Sequence, residues 1–125
     1  MEYINFYNGT VNAGAKDGNK ITAGNPVFAV VNTDGTEVVQ EIAIRCEDGF
    51  SAYGDATLSF TGANKTYWAY EVNGQKKAFG EDATISGLTD TNTIIKVYTK
   101  AGADESPSTD STVELTIACE IQAKA

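Results

Sequence analysis

The strongest pattern in the chain is a strict alternation of apolar and polar residues near its C-terminal end. Every odd position of residues 113–121 is apolar, while the even positions carry Glu, Thr, Ala and Glu. Alternation with a period of two predicts a β-strand that buries one face and leaves the other in water. Residues 41–47 alternate in the same way, which directs Ile42, Ile44 and Cys46 inward and the residues between them outward.

Short apolar stretches separated by turn residues continue this pattern along the chain. The Asn73-Gly74 pair is typical of a type I′ hairpin turn, and Asp34-Gly35 is a second hairpin signal. Strands that begin about every ten residues indicate a sandwich or a barrel. No segment shows the 3.6-residue period of a substantial helix. Further strands are predicted at residues 4–6, 27–31, 57–61, 67–72, 75–79, 83–88 and 93–100.

We therefore predict a single all-β domain over residues 1–125, an antiparallel β-sandwich of about seven to nine strands. Residues 1–32 are expected to add an N-terminal arm or extra strands, and residues 12–25 and 101–111 are predicted loops. The composition agrees, because 9 valines, 9 isoleucines and 15 threonines stand against 3 leucines. β-branched side chains favour pleated strands.

The composition also narrows the function classes. The chain has no histidine, which excludes a Ser-His-Asp triad and imidazole zinc ligands. Its net charge is −8 and Arg45 is its one arginine, so a phosphate-binding or nucleic-acid surface is not expected. No apolar run is long enough to span a membrane. We expect a protein that is not an enzyme and that uses no cofactor or metal.

Two cysteines, Cys46 and Cys119, both fall on predicted inward faces. We interpret them as buried thiols, with a disulfide as the alternative. The N-terminus has neither a basic nor an apolar leader segment, so a chain that begins at its native Met1 is expected to stay in the cytoplasm that makes it.

Acidic and amide side chains in the predicted turns supply hard oxygen donors of the kind that Ca²⁺ prefers. No EF-hand spacing connects them, so we interpret them as residues that cap their own turns, and calcium stays open as the alternative. Adjacent carboxylates at 47–48, 81–82 and 104–105 are read as solvated charge. The turn residues in question are Asp17, Asn19, Asp34, Asp48, Asp55, Asp90 and Asn92.

Aromatic residues are the other candidates for function. Alternation over residues 67–72 places Trp68 in the core and Tyr67 on the outside. Tyr3 and Tyr7 alternate with Ile4 and Phe6 and are also predicted to face outward. Outward tyrosines are suited to a protein interface or to stacking on sugar rings, with scattered surface tyrosines as the plain alternative.

Residues 65–121 resemble an immunoglobulin-like or fibronectin-type-III-like sandwich. The resemblance places Trp68 on strand C, the Asn73-Gly74 turn before C′, residues 84–90 on strand E and its corner, residues 93–99 on strand F and residues 113–121 on strand G. The chain departs from the pattern at Ile95, where a corner tyrosine is expected. The resemblance implies an Ig-like fold and no particular function.

A second resemblance lies in residues 21–28, Ile-Thr-Ala-Gly-Asn-Pro-Val-Phe, followed by the Asn-Thr-Asp-Gly-Thr turn at 32–36. This run looks like the decoration proteins of tailed-phage heads. It implies a structural virion protein that binds the outside of a phage capsid, with the major capsid protein or other virion proteins, or further copies of itself, as partners. The interface residues expected are Tyr3, Tyr7, Val27, Phe28, Val30 and Tyr67.

The alternative is a carbohydrate-binding or adhesive module of a phage fibre or a bacterial surface protein. It would bind a glycan through Tyr3, Tyr7 and Tyr67 and would lie on the bacterial cell surface. The first interpretation places the protein in the virion after synthesis in the host cytoplasm.

Overall fold

A computed structural model describes residues 3–21, 29–31, 37–62, 65–100, 108–110 and 114–123. Every strand pair in these ranges is antiparallel. The strands are β1 (Ile4–Asn8), β2 (Asn19–Lys20), β3 (Ala29–Val31), β4 (Val38–Cys46), β5 (Phe50–Thr61), β6 (Trp68–Val72), β7 (Gln75–Lys76), β8 (Ala83–Ile85), β9 (Thr93–Thr99), β10 (Ser108–Asp110) and β11 (Glu114–Ala123). A single 3₁₀ turn, Lys65–Tyr67, precedes β6.

Two sheets enclose the core. One has six strands in the order β2-β1-β4-β9-β6-β7, and the other has three in the order β11-β5-β8. A separate ribbon pairs β10 with β3. The predicted all-β antiparallel sandwich is confirmed, and the described residues contain no α-helix.

The core is built from the inward rows of both sheets. Trp68 is completely buried, as the sequence predicts, and so are Ile42 and Ile44. Phe60 of the three-stranded sheet stacks on Tyr70 of the six-stranded sheet with ring centroids 4.1 Å apart. The buried Tyr70 hydroxyl donates a hydrogen bond of 2.6 Å to the main-chain oxygen of Ser59. Aromatic packing and this hydrogen bond therefore connect the two sheets through the same residue.

The predicted Asn73-Gly74 turn is confirmed, because both residues have positive φ, 53° and 77°, as a type I′ turn requires. The strand after it has only two residues. The chain nevertheless continues along β6, since the Lys77 amide donates to Tyr70 and the Gly80 amide to Trp68. The six-stranded sheet is therefore edged by an irregular strand on this side.

Three features differ from the sequence prediction. β5 runs for 12 residues, from Phe50, where only residues 57–61 are predicted. An irregularity in its pairing with β11, between Ala118 and Glu120, interrupts the alternation that the prediction depends on. The short strands β2 and β10 lie inside predicted loops. The Asp34-Gly35 turn and the first two residues of the predicted 27–31 strand lie outside the described residues, and the other three form β3.

The strand order also differs from the Ig-like assignment. In that fold the last strand joins the sheet that contains strands C and F. Here β9, the expected strand F, pairs with β6 and β4, while β11, the expected strand G, pairs with β5 in the other sheet. The architecture supported is a β-sandwich without that strand order.

Candidate binding surface

The outer face of the six-stranded sheet is covered beside β1 and β4. Tyr7 points to this outer face, as predicted, but the expected exposure is wrong, because only 7% of the residue is accessible. The Arg45 guanidinium lies 3.7 Å from the centre of the Tyr7 ring. Burial raises the pKa of the Tyr7 hydroxyl, and the Arg45 charge opposes that rise. Tyr7 is therefore a packing residue and not an exposed platform.

A hydrogen-bonded clamp holds the β1–β2 connection over this face. Arg45 donates to the main-chain oxygen of Asp17 at 2.6 Å and to Oδ1 of Asn92 at 2.8 Å. Asn92 is buried, and its Nδ2 donates to Asp17 Oδ1 at 2.7 Å. Asn12 donates to both carboxylate oxygens of Asp17 through its side chain and its amide. These hydrogen bonds hold the pKa of Asp17 below its usual value.

The bonds seen for Asp48, Asp90 and Asn92 connect distant segments of the chain and are not caps of their own turns. Asp90 Oδ2 accepts from the Gly49 amide at 3.0 Å, and Asp48 pairs with the Lys16 ammonium at 2.8 Å. Within the described ranges, no three His, Cys, Asp or Glu side chains are grouped so as to hold a metal ion. The oxygens of Asp17, Asp90 and Asn92 already have protein donors.

A second cluster lies on the same outer face near β6, β7 and β9. The Lys76 ammonium lies 4.4 Å from the centre of the Tyr98 ring, and the Lys100 ammonium lies 4.3 Å from that of Phe79. The Tyr98 hydroxyl donates to Glu71 at 2.8 Å, and this hydrogen bond raises its pKa. The sequence analysis missed this cluster because its members come together only through cross-strand pairing.

The exposed aromatic residues lie around the turn between β4 and β5. Tyr3 is 41% exposed and Tyr53 is 63% exposed. The Tyr3 ring packs on Phe50 with centroids 4.8 Å apart at a tilt of 47°. Tyr3 is anchored by its main-chain oxygen, which accepts from the Glu47 amide at 2.8 Å. We call Tyr3 and Phe50 the tyrosine surface, because Tyr53 lies on the opposite, outward row of β5.

The other predicted interface residues have different outcomes. Tyr67 is half-buried in the 3₁₀ turn and packs against the core, so its predicted outward position is wrong. Val30 lies in β3, and Val27 and Phe28 lie outside the described residues. Tyr53 is absent from the prediction because the first half of β5 is not recognised as a strand. Its only sequence signal is a lone tyrosine beside a glycine.

The two cysteines are free thiols. Cys46 is buried, as predicted, whereas Cys119 is only partly buried and packs against the edge of the core. Burial raises the pKa of Cys46 to about 11 and also raises that of Cys119. Both groups are therefore protonated at neutral pH, the unreactive form of a cysteine.

No helix within the described ranges is sufficiently long and apolar to cross a membrane. No protein-family model, curated protein or solved structure matches the chain. The functional argument therefore depends on the surfaces themselves.

Proposed function

We propose that this chain is a non-enzymatic structural protein of a virion, an auxiliary or decoration protein that binds the outside of a phage capsid and stabilises it. The proposal begins from the sequence resemblance at residues 21–36 and from a small antiparallel sandwich. The observation that carries it is the exposure of Tyr3, which is 41% exposed yet held by its backbone bond to Glu47 and by its contact with Phe50.

The tyrosine surface has the properties of a protein-docking site. Tyrosine is enriched at interfaces because its ring contributes a large contact area and its hydroxyl a hydrogen bond. The Tyr3 backbone bond to Glu47 and the tilted packing of its ring on Phe50 hold this ring before any partner binds. Less conformational entropy is then lost on docking.

Capsid stabilisation follows from binding alone. A protein that binds the assembled shell more tightly than its separated subunits shifts the equilibrium toward the shell. Contacts that bridge neighbouring subunits have this preference, because the bridged arrangement exists only in the assembled capsid. The proposed mechanism needs complementary surface and no chemical step.

Binding to heads of the phage that encodes the chain, stripped of accessory proteins, tests the proposal. We expect saturable binding that weakens at least tenfold in Tyr3→Ala, since interface tyrosines are frequent hot spots. Val39→Ser is the matched control, because Val39 is 51% exposed but lies near the start of β4, whereas Tyr3 lies beside its end. Absence of binding at micromolar protein would refute the capsid role, and equal weakening by the control would refute the assignment of the surface.

Glycan binding is the second candidate, and the exposure of Tyr53 favours it. Its ring lies on the outward row of β5, opposite Glu120, so a sugar would find both a stacking face and a hydrogen-bond acceptor. A glycan array followed by calorimetric titration tests this. If Tyr53 forms the site, Tyr53→Ala should abolish glycan binding. Tyr67→Ala should leave the glycan affinity unchanged, because Tyr67 is half-buried.

A further inference from the structure

Strand β11 forms an edge of the three-stranded sheet. It runs for ten residues and pairs with β5 along its length. No strand among the described residues pairs with its other side. The outer side of an edge strand presents backbone N–H and C=O groups that can pair with another strand.

The apolar row of this strand is also incompletely covered. The inward residues Ala56, Leu58 and Phe60 of the neighbouring β5 are buried. The inward residues of β11 are all only half-buried, although they alternate as regularly. These residues are Leu115, Ile117, Cys119 and Ile121. The edge therefore combines open backbone groups with apolar area that a further strand would cover.

The outward row of β11 has neither lysine nor proline and carries two charges, Glu114 and Glu120, at its five positions. Natural edges are commonly protected by lysine, by proline or by being short. The six-stranded sheet follows this rule, since β2 and β7 have two residues each and contain Lys20 and Lys76. By contrast, β11 has ten residues. Its outward row consists of Glu114, Thr116, Ala118, Glu120 and Gln122.

We propose that β11 pairs with β11 of a second copy of this chain, antiparallel, about a twofold axis at Ala118. The two three-stranded sheets then form one continuous sheet of six strands. A twofold axis perpendicular to a sheet places outward residues opposite outward residues and inward ones opposite inward ones. Leu115 therefore lies opposite Ile121 of the second copy, and Ile117 opposite Cys119.

The charges of the outward row fit a second copy in this register and disfavour the neighbouring register centred on Ile117. With the axis at Ala118, Glu114 lies opposite Gln122 of the second copy and Glu120 opposite Thr116. Each carboxylate then faces an uncharged hydrogen-bond donor. Moving the axis by one residue to Ile117 would place Glu114 opposite Glu120, and like charges directly opposite each other are destabilising. The strand is complementary to itself, which favours a second copy over an unrelated strand.

Sedimentation analysis of the full chain from micromolar to millimolar concentration tests the proposal. We expect a monomer–dimer equilibrium that Gln122→Glu weakens about tenfold, because each dimer gains two facing carboxylate pairs. The double variant Glu114→Gln/Gln122→Glu exchanges the two groups at unchanged net charge and restores the affinity. Gln75→Glu is the matched control, since it adds the same charge to exposed β7 of the other sheet and is expected to leave the affinity unchanged.

Three results would overturn the proposal: a monomer at every concentration, a dimer insensitive to Gln122→Glu, or a double variant that stays as weak as the single one. Equal weakening by Gln75→Glu would also overturn it, because net charge would then explain the effect. Circular dichroism of each variant verifies that it is folded. The inference does not depend on the capsid role, because the experiment contains only this chain.

Discussion

Tyr7 and Tyr53 both lie on outward rows, one on each sheet, and their exposed fractions are 7% and 63%. Both rings point away from the core, Tyr7 from the six-stranded sheet and Tyr53 from the three-stranded sheet. Tyr7 is covered by Arg45 and by the β1–β2 connection that Asn92 and Asp17 hold in place. Tyr53 lies on the outward row of β5, opposite Glu120 of β11. The face of the sheet on which a side chain lies therefore does not determine how exposed that side chain is.

The largest effect expected concerns a pair of residues directly opposite each other on the three-stranded sheet, Leu58 on β5 and Ile117 on β11. Leu58→Ala should lower the free energy of unfolding by about 4 kcal/mol, because Leu58 is fully buried. Ile117→Ala should cost less than half of that, since Ile117 is only half-buried. Urea denaturation at low micromolar protein measures both. Equal losses would show that β11 is covered as well as β5 in the monomer.

The next effect tests how tightly the six-stranded sheet is covered. A Cβ added at Gly18, where φ is +98°, would lie 2.5 Å from a methyl carbon of Val11 and 3.0 Å from Cβ of Tyr7. Gly18→Ala should therefore cost about 3 kcal/mol. Gly14→Ala in the same connection is the control, because φ is +76° there but no atom lies within 4 Å. Its expected cost is the backbone strain of about 1 kcal/mol. Thermal unfolding compares the two, and equal shifts would mean that the connection is not packed on Tyr7.

Removing the clamp should have a somewhat smaller effect. Arg45→Met keeps much of the side-chain volume but removes the bonds to Asp17 and Asn92, and should cost about 2 kcal/mol. Hydrogen exchange should then accelerate in the β1–β2 connection and stay unchanged in β11. Lys96→Met is the matched control, since Lys96 is exposed and its carboxylate contact of 4.0 Å is weak. Loss of protection in both sheets would make Arg45 part of the global fold instead of a local clamp.

The smallest effect is a pH dependence that originates at Asp17. Hydrogen bonds from Asn12 lower the pKa of Asp17 in the folded chain below the ordinary value of 3.8. The contribution of Asp17 to stability is therefore present above that value and is lost as the pH falls through the lower, folded pKa. The difference in urea midpoint between the native chain and Asp17→Asn should shrink as the medium is acidified below about pH 4. A constant difference would assign the contribution to the neutral hydrogen bonds alone.

Alternation and turn chemistry predicted the core with good detail. They placed Trp68, Ile42 and Ile44 inside and located the Asn73-Gly74 turn, because these features depend on neighbours in the chain. They did not predict the clamp, since Asn92 and Asp17 are 75 positions apart. They also assigned Tyr67 to the outside, because the 3₁₀ turn that begins at Lys65 breaks the period of two before β6.

Of the two exposed tyrosines, Tyr3 and Tyr53, the sequence predicted one. Tyr3 follows from alternation over β1, whereas Tyr53 lies in a part of β5 where an irregular pairing with β11 disrupts the pattern. The lysine–aromatic cluster around Tyr98 has no signal in the sequence at all, because it depends on which strands lie side by side.

The sequence by itself determined that this protein is an antiparallel β-sandwich, that Trp68 and Cys46 face the core, and that no histidine chemistry is available. These properties follow from local steric preference and from the period of each strand. The tertiary structure decided that β11 joins β5 and has no second partner strand among the described residues, that Tyr7 is covered, and that Tyr53 is exposed. Those outcomes depend on which distant segments pack together, and no short-range pattern encodes that choice.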